Sequence, residues 1–164
     1  MRVLLTGATG NLGDQALREL ARQGHTVRCL VRDPHAGRRL TRLGKRGQVS
    51  IALGDVRDAE AVRAAVAGQE AIIHLAAMLP PLADTQPELA RAINVGGTEQ
   101  VIAAAQAQAT PPKLVYTSSI ALFGNTQALP PPRRVSDPIH PIDPYSKHKA
   151  ECETLVRASG LTWT

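Results

Sequence analysis

Tyr145 and Lys149 stand four residues apart in the stretch Tyr145-Ser146-Lys147-His148-Lys149, a spacing that stacks both side chains on one face of a helix. Asp143 can cap such a helix and Pro144 suits its first turn. The pairing has a chemical use. A tyrosine exchanges a proton with a carbinol only if its phenolate is accessible near neutral pH, and a neighbouring ammonium favours that charged form. Lys149 is therefore expected to lower the pKa of Tyr145 and also to reach a cofactor ribose. Taken alone, the spacing equally fits an ordinary surface pair. Its context adds Ser118 and Ser119, hydroxyls directly after the apolar run 114–117, where an open α/β sheet puts its chemistry.

A second constellation lies at the start of the chain. The apolar run Val3-Leu4-Leu5 leads into Gly7-Ala8-Thr9-Gly10-Asn11-Leu12-Gly13, which reads as strand, glycine-rich turn and helix start. Gly7 permits the tight turn, Gly10 lets backbone approach a pyrophosphate, and Gly13 lets the helix pack closely on the strand. The helix N-terminus offers unpaired N–H groups and the positive end of its dipole. A glycine trio also occurs in ordinary strand-to-helix turns; the flanking strand and amphipathic helix make this one a dinucleotide site.

These residues need a scaffold, and the rest of the chain reads as one. Short β-branched runs at 3–6, 26–31, 49–53, 71–75 and 114–117 predict parallel strands buried on both faces. Between them, helices are expected over 12–23, after Pro34, over 58–66 and, as one long element, over 87–108. Leu12, Ala16, Leu17 and Leu20 form one apolar stripe; Leu89, Ile93, Val101, Ile102 and Ala105 form another. Strand and helix in alternation mean an α/β fold, a Rossmann-type doubly wound parallel sheet with helices on both faces. A proline-rich stretch over 129–144 is the one long loop expected.

Composition narrows the function classes. At 164 residues and 43% apolar the chain suits a single domain, residues 1–164. Cys29 and Cys152 have no metal-ligand spacing, and no signal peptide or long apolar span precedes the first strand, so a reduced, cytoplasmic, soluble protein with no membrane partner is expected. The net charge of +5 is concentrated in the basic residues between Arg28 and Arg46, which attract phosphate-bearing ligands or form a solvated helix face. Aromatic residues are only 2% of the chain, too few for base-stacking platforms, and a nucleic-acid partner is not expected.

Taken together, the motifs resemble the extended short-chain dehydrogenases/reductases, in their NAD(P)-dependent epimerase/dehydratase group. The similar stretches are Thr6 to Gly13 (TGATGNLG), Gly54 to Val56 (GDV), His74 to Ala77 (HLAA), Asn94 to Thr98 (NVGGT), Tyr116 to Gly124 (YTSSIALFG) and Tyr145 to Lys149 (YSKHK). The resemblance implies that Asp55 and Val56 meet the adenine, that Leu75, Ala76 and Ala77 line the cofactor groove, and that Asn94 supports the active-site framework beside the cofactor. It implies that Ser119 orients the substrate oxygen, that Tyr145 is the general acid/base and that Lys149 holds the nicotinamide ribose. On the residues alone, Asp55 could cap a turn, Asn94 could satisfy helix backbone, and His74 reads as a packed, hydrogen-bonded residue rather than a catalyst.

The end of the second strand bears on which cofactor is taken. A carboxylate there binds both ribose hydroxyls of NAD, whereas NADP needs a cation for its 2′-phosphate. Val31 holds the carboxylate position and Arg32 follows, so NADP is favoured, with NAD kept open by Asp33 one residue further on. Members of the resembled group continue into a further lobe that closes over substrate. Here the chain reaches Thr164 apparently inside a sixth strand, so truncation before that lobe is expected. The function expected is hydride transfer at a secondary alcohol or ketone of a small molecule, with nucleotide sugars among the candidate substrates. A non-catalytic NADP-binding sensor is the alternative, and a homodimer through the 87–108 helix and the Tyr145 helix is compatible with both.

Overall fold

A computed structural model describes residues 1–125 and 131–164. Five strands, β1 (Arg2–Thr6), β2 (Thr26–Val31), β3 (Val49–Leu53), β4 (Ala71–His74) and β5 (Lys113–Tyr116), form one parallel sheet in the order β3-β2-β1-β4-β5. The order reverses beside β1, which places a crevice at the carboxyl end of that strand. Beyond β5, residues 162–164 run parallel to it. Leu114 N–H donates to the Thr162 carbonyl and Tyr116 N–H to the Thr164 carbonyl, each at 2.9 Å.

Alternate residues of each buried strand serve opposite faces. Leu5, Val27, Cys29 and Val31 pack against Leu17 of α1 (Asn11–Arg22) and Leu40 of α2 (Pro34–Leu40). Leu4, Leu30, Ile72 and Leu114 pack on the other face against α3 (Ala59–Val66), α6 (Gly97–Gln106) and α7 (Pro144–Ala158), through Val62, Val101 and Val156 among others. The doubly wound arrangement thus follows from apolar residues on both sides of every central strand. Local chemistry sets the helix starts: Asp58 accepts from Glu60 and Ala61 N–H at the head of α3, and Asp143 and Ser146 form a reciprocal capping box at the head of α7.

Three expectations are corrected. The single helix over 87–108 is α5 (Pro87–Arg91), a π-helical turn (Ala92–Gly96) and α6, preceded by an unanticipated one-turn helix, α4 (Leu82–Thr85). A π turn inserts a residue and rotates the helical phase. The expected stripe therefore splits: Val101, Ile102 and Ala105 enter the core, Ile93 packs against that core at the edge of a cleft, and Leu89 faces the cleft. In α1, Leu17 is fully buried but Leu12 is 57% exposed, because the first turn overlooks that cleft. Of the loop expected over 129–144, Leu129 and Pro130 lie outside the described residues, and 131–143 hold no helix or strand.

Arg28 is also reassigned. Rather than joining a phosphate-attracting surface, its Nη1 donates to the carbonyls of Ala64, Ala65 and Ala67, capping the C-terminal end of α3. A cation there completes unpaired carbonyls and meets the negative end of the helix dipole.

His74 joins three elements below the crevice. Thr6 Oγ1 accepts from Leu75 and Ala76 N–H at 3.2 and 3.1 Å, so its own proton goes to His74 Nδ1 at 2.7 Å. His74 must then carry its proton on Nε2, which donates to Thr98 Oγ1 at 3.2 Å, and Thr98 donates on to the Asn94 carbonyl at 2.6 Å. Burial, with the Lys149 charge second, pulls the His74 pKa down to about 3.

Replacing Arg28 by Met should destabilise the chain by roughly 1 to 2 kcal/mol in urea unfolding, through α3 carbonyls left unpaired. His74 generates a pH dependence. It stays neutral when folded, whereas the unfolded chain takes up its proton near pH 6.5, so its share of stability is present above that pH and is lost as pH falls toward 3. The slope is at most about 1.4 kcal/mol per pH unit. His74→Gln should be less stable at pH 7 but show a flatter decline between pH 6.5 and 4, measured by urea titrations across that range.

Candidate active site

β1 carries Thr6 to the sheet's carboxyl edge, and the chain turns at Gly7 with φ of +72°. A Cβ on Gly7 would lie 2.7 Å from Ala76 N and from the Leu75 carbonyl carbon; one on Gly13 would overlap the Gly7 carbonyl oxygen. The turn is thus pressed against both the β4 end and α1. Gly10 caps α1 without a side-chain acceptor, and by helix geometry the N–H groups of Asn11, Leu12 and Gly13 have no carbonyl behind them. This cradle of glycine backbone and open N–H groups fits a pyrophosphate.

From the turn a cleft of about 920 Å³ runs across the sheet edge, near the upper end of the roughly 300 to 1,000 Å³ usual for ligand sites. The structure brings most sequence-predicted residues to its walls: Gly7, Gly10, Asn11, Leu12 and Gly13 on the phosphate turn; Arg32, Asp55 and Val56 at one end; Leu75, Ala76 and Ala77 along one side; Tyr145 and Lys149 at the other end. Asn94 and Ser119 are not among the lining residues.

At the Arg32 end, two carboxylates are already engaged. Asp33 accepts from His35 N–H at 2.8 Å as the cap of α2, and Asp55 is held by the backbone N–H and guanidinium of Arg57, each contact 2.9 Å. The Arg57 hydrogen bonds, with a smaller push from Arg32, hold the Asp55 carboxyl below its usual range. Arg32 itself is exposed and lines the cleft, whereas Asp33 does not. The loop shift that would bring Asp33 inward conflicts with its capping bond.

At the other end, the capping box aims the first turns of α7 across the strand ends. Lys149 is 5% exposed; its Nζ donates to the Thr117 carbonyl at 2.6 Å and lies 4.6 Å from the centre of the Tyr116 ring. Burial lowers its pKa to about 8. Ser119 lies close enough to the Tyr145 hydroxyl to pull its pKa down, and its Oγ accepts from Ala121 N–H at 3.1 Å, at the head of the turn Ile120–Phe123. The expected lowering of the Tyr145 pKa by Lys149 is corrected here. Burial raises it, Ser119 pulls it back, and the Asp143 carboxylate raises it further. Lys149 lies 5.8 Å from the Tyr145 ring centre and spends its closest hydrogen bond on Thr117, so burial of the phenol dominates.

Asn94 does more than satisfy helix backbone. From the buried face of the π turn its Oδ1 accepts from Met78 N–H at 2.7 Å and its Nδ2 donates to the Met78 carbonyl at 3.0 Å, with His148 Nδ1 at 3.5 Å. This two-point clamp fixes the loop that forms the cleft's outer wall. Sequence reasoning missed that wall, Met78 to Leu82, and the Thr117 carbonyl that seats the lysine. The unbroken apolar run Met78-Leu79-Pro80-Pro81-Leu82 right after Ala77 was the available signal for the wall; a backbone carbonyl leaves none in sequence.

Comparison with known proteins agrees with this geometry. The NAD dependent epimerase/dehydratase family matches residues 3–163. The chain is 34% identical over 172 residues to 4-hydroxy-2-methyl-3-oxo-4-farnesyl-3,4-dihydroquinoline-1-oxide ketoreductase of Stigmatella aurantiaca, covering 100% of this chain and 48% of that protein. It is 38% identical to human 3 beta-hydroxysteroid dehydrogenase type 7, covering 93% and 43%. Among solved structures, UDP-glucose-4-epimerase from Stenotrophomonas maltophila with bound NAD and formylated UDP-arabinopyranose superposes with a TM-score of 0.84 at 26% identity, over 96% of this chain and 48% of that one. The chain spans about half the length of the relatives it matches. With its glycine turn, its cleft at the reversal of strand order and a family match along nearly its whole length, the chain belongs to the NAD dependent epimerase/dehydratase family.

Proposed function

We propose that the chain binds a nicotinamide dinucleotide, NADP(H) ahead of NAD(H), and that the protein exchanges hydride at a secondary alcohol or ketone of a small molecule. One observation carries this reading: Tyr145 and Lys149, with Ser119 close enough to act on the tyrosine, stand at one end of the same cleft whose middle is the glycine turn. Within it, Gly7, Gly10 and Gly13 give backbone access to the pyrophosphate and Asn11 and Leu12 lend first-turn N–H groups. Val56 and Asp55 flank the adenine, and Leu75, Ala76 and Ala77 flank the dinucleotide. Lys149, protonated below about pH 8, can donate to a ribose hydroxyl while held by Thr117. The nicotinamide, when bound, supplies the hydride acceptor or donor.

The chain's own residues handle the proton. Tyr145 takes the hydroxyl proton of an alcohol, or returns it to a ketone, while Ser119 steadies the oxygen. The raised pKa of Tyr145 suits it as a neutral donor, and Ser119 stabilises the phenolate that results. Asn94 positions the wall through Met78.

The preference for NADP rests on an exposed guanidinium in the cleft beside a carboxylate committed to capping. Two free, buried thiols accord with a reducing, cytoplasmic setting, and a homodimer through α6 and α7 is part of the same reading. Among the described residues, no helix is long and apolar enough to cross a membrane. The relatives named above act on a farnesylated quinoline oxide, on 3 beta-hydroxysteroids or on nucleotide sugars, which leaves apolar and sugar substrates as the two classes to separate.

Fluorescence titration should give tighter binding of NADPH than of NADH, and Arg32→Ala should remove about 10- to 150-fold of NADPH affinity, the value of one charge-assisted phosphate contact of roughly 1.5 to 3 kcal/mol. Equal affinities for the two cofactors in the unaltered chain would end the NADP reading. In a form of the protein that turns over substrate, Tyr145→Phe should lower kcat by about 10²- to 10⁴-fold and leave cofactor affinity nearly unchanged, whereas Lys149→Ala should damage both. Near-full activity of the phenylalanine variant would show that another group carries the proton.

A further inference from the structure

The cleft has two chemically different ends. Around Arg32 it is charged, with Asp55 and its partner Arg57 nearby. Past Ala77 it becomes mainly hydrocarbon: Met78, Leu79 and Leu82 with two prolines between them, then Leu89, with Gln86 as the one polar side chain among them. This strip belongs to the Tyr145 end, because α4 and α5 pack against α7 and Asn94 bridges Met78 to within 3.5 Å of His148, one residue before Lys149. Leu79 and Leu82 are 54% and 56% exposed, yet the backbone between β4 and α4 is held by the buried two-point clamp on Met78. Apolar side chains that are exposed, contiguous and rigidly held beside an acid/base pair constitute a preorganised contact surface.

Resting on the proposed reading of Tyr145 and Lys149, we infer that this strip is the substrate's subsite and that the reacting alcohol or ketone belongs to a mainly hydrocarbon molecule, of fused-ring or isoprenoid type, rather than to a nucleotide sugar. A hexose in the same place would lay several hydroxyls against leucine and proline side chains, with Gln86 the one side chain of the strip able to hydrogen-bond them. A hydrocarbon body loses nothing there and removes two leucines from water, leaving its one oxygen for Ser119 and Tyr145. The strip and Tyr145 line one and the same cleft.

The test is methyl NMR of the 164-residue chain, with Leu79 and Leu82 methyls assigned, titrated with a 3 beta-hydroxysteroid and separately with UDP-glucose, each with and without saturating NADP⁺. The steroid should shift both leucine methyls saturably and UDP-glucose should not. A Leu79→Ser, Leu82→Ser variant, folded by circular dichroism, should raise the steroid Kd at least tenfold, and the corresponding Met, Met variant should restore binding to within about threefold. Methyl shifts from UDP-glucose with the steroid silent, methyls unmoved by either probe, or a serine variant that binds steroid as tightly as the parent would each overturn the inference. The cofactor reading fails separately, if NADP⁺ leaves the Gly10 and Gly13 amides unshifted; the steroid arm without cofactor still reports on the strip.

Discussion

The hydroxyl of Thr6 sits where four parts of the chain meet below the cleft. It accepts from two successive backbone N–H groups, Leu75 and Ala76, and that double acceptance forces its proton toward His74. The same two peptide units press on Gly7, where a Cβ would stand 2.7 Å from Ala76 N. The phosphate turn can therefore close only with glycine, and only while Thr6 holds the β4 end in place. From His74 the chain of donors continues through Thr98 to the carbonyl of Asn94, and the Asn94 side chain fixes Met78. The glycine turn and the apolar wall are thus joined by one series of hydrogen bonds. The links from Thr6 through His74 and Thr98 to the Asn94 carbonyl are buried, where an unpaired polar group costs on the order of 1 to 3 kcal/mol, so they hold as a unit.

Burial acts on the acid/base pair in opposite senses. It pushes the Tyr145 phenol toward its neutral form and lowers Lys149 to about pH 8. Each is met from just past β5: Ser119 pulls the tyrosine pKa back down, and the Thr117 carbonyl accepts from the lysine. The two residues are neighbours in space, yet their charge states are governed by desolvation and by the strand end rather than by each other. Cys29, by contrast, is driven up to about 12 by burial alone and stays an inert part of the core.

Much of the architecture was legible because it is written in short-range patterns. Five apolar, β-branched runs, the Asp143 cap and a glycine-spaced turn each act within a few residues of themselves, and the structure has a strand, a helix start or the turn at each. The Tyr145 and Lys149 spacing belongs to the same class, since helix geometry alone puts both on one face. Expectations failed where the deciding partner was distant. The 87–108 periodicity does not reveal the π turn that splits the apolar stripe and from which Asn94 reaches Met78. Arg28 looks like its basic neighbours until the end of α3 is brought beside it.

The sequence by itself determined that the chain alternates strand and helix, that its first turn can receive a pyrophosphate, and that one helix presents a tyrosine and a lysine together. These follow from side-chain period, glycine conformation and capping chemistry, all local. Only the tertiary structure decided which of Arg32 and Asp33 faces the cleft, what burial does to Tyr145 and Lys149, and that a clamped strip of leucines borders them. Those outcomes depend on solvent exclusion and on hydrogen bonds between residues as many as 70 positions apart, which no local pattern encodes.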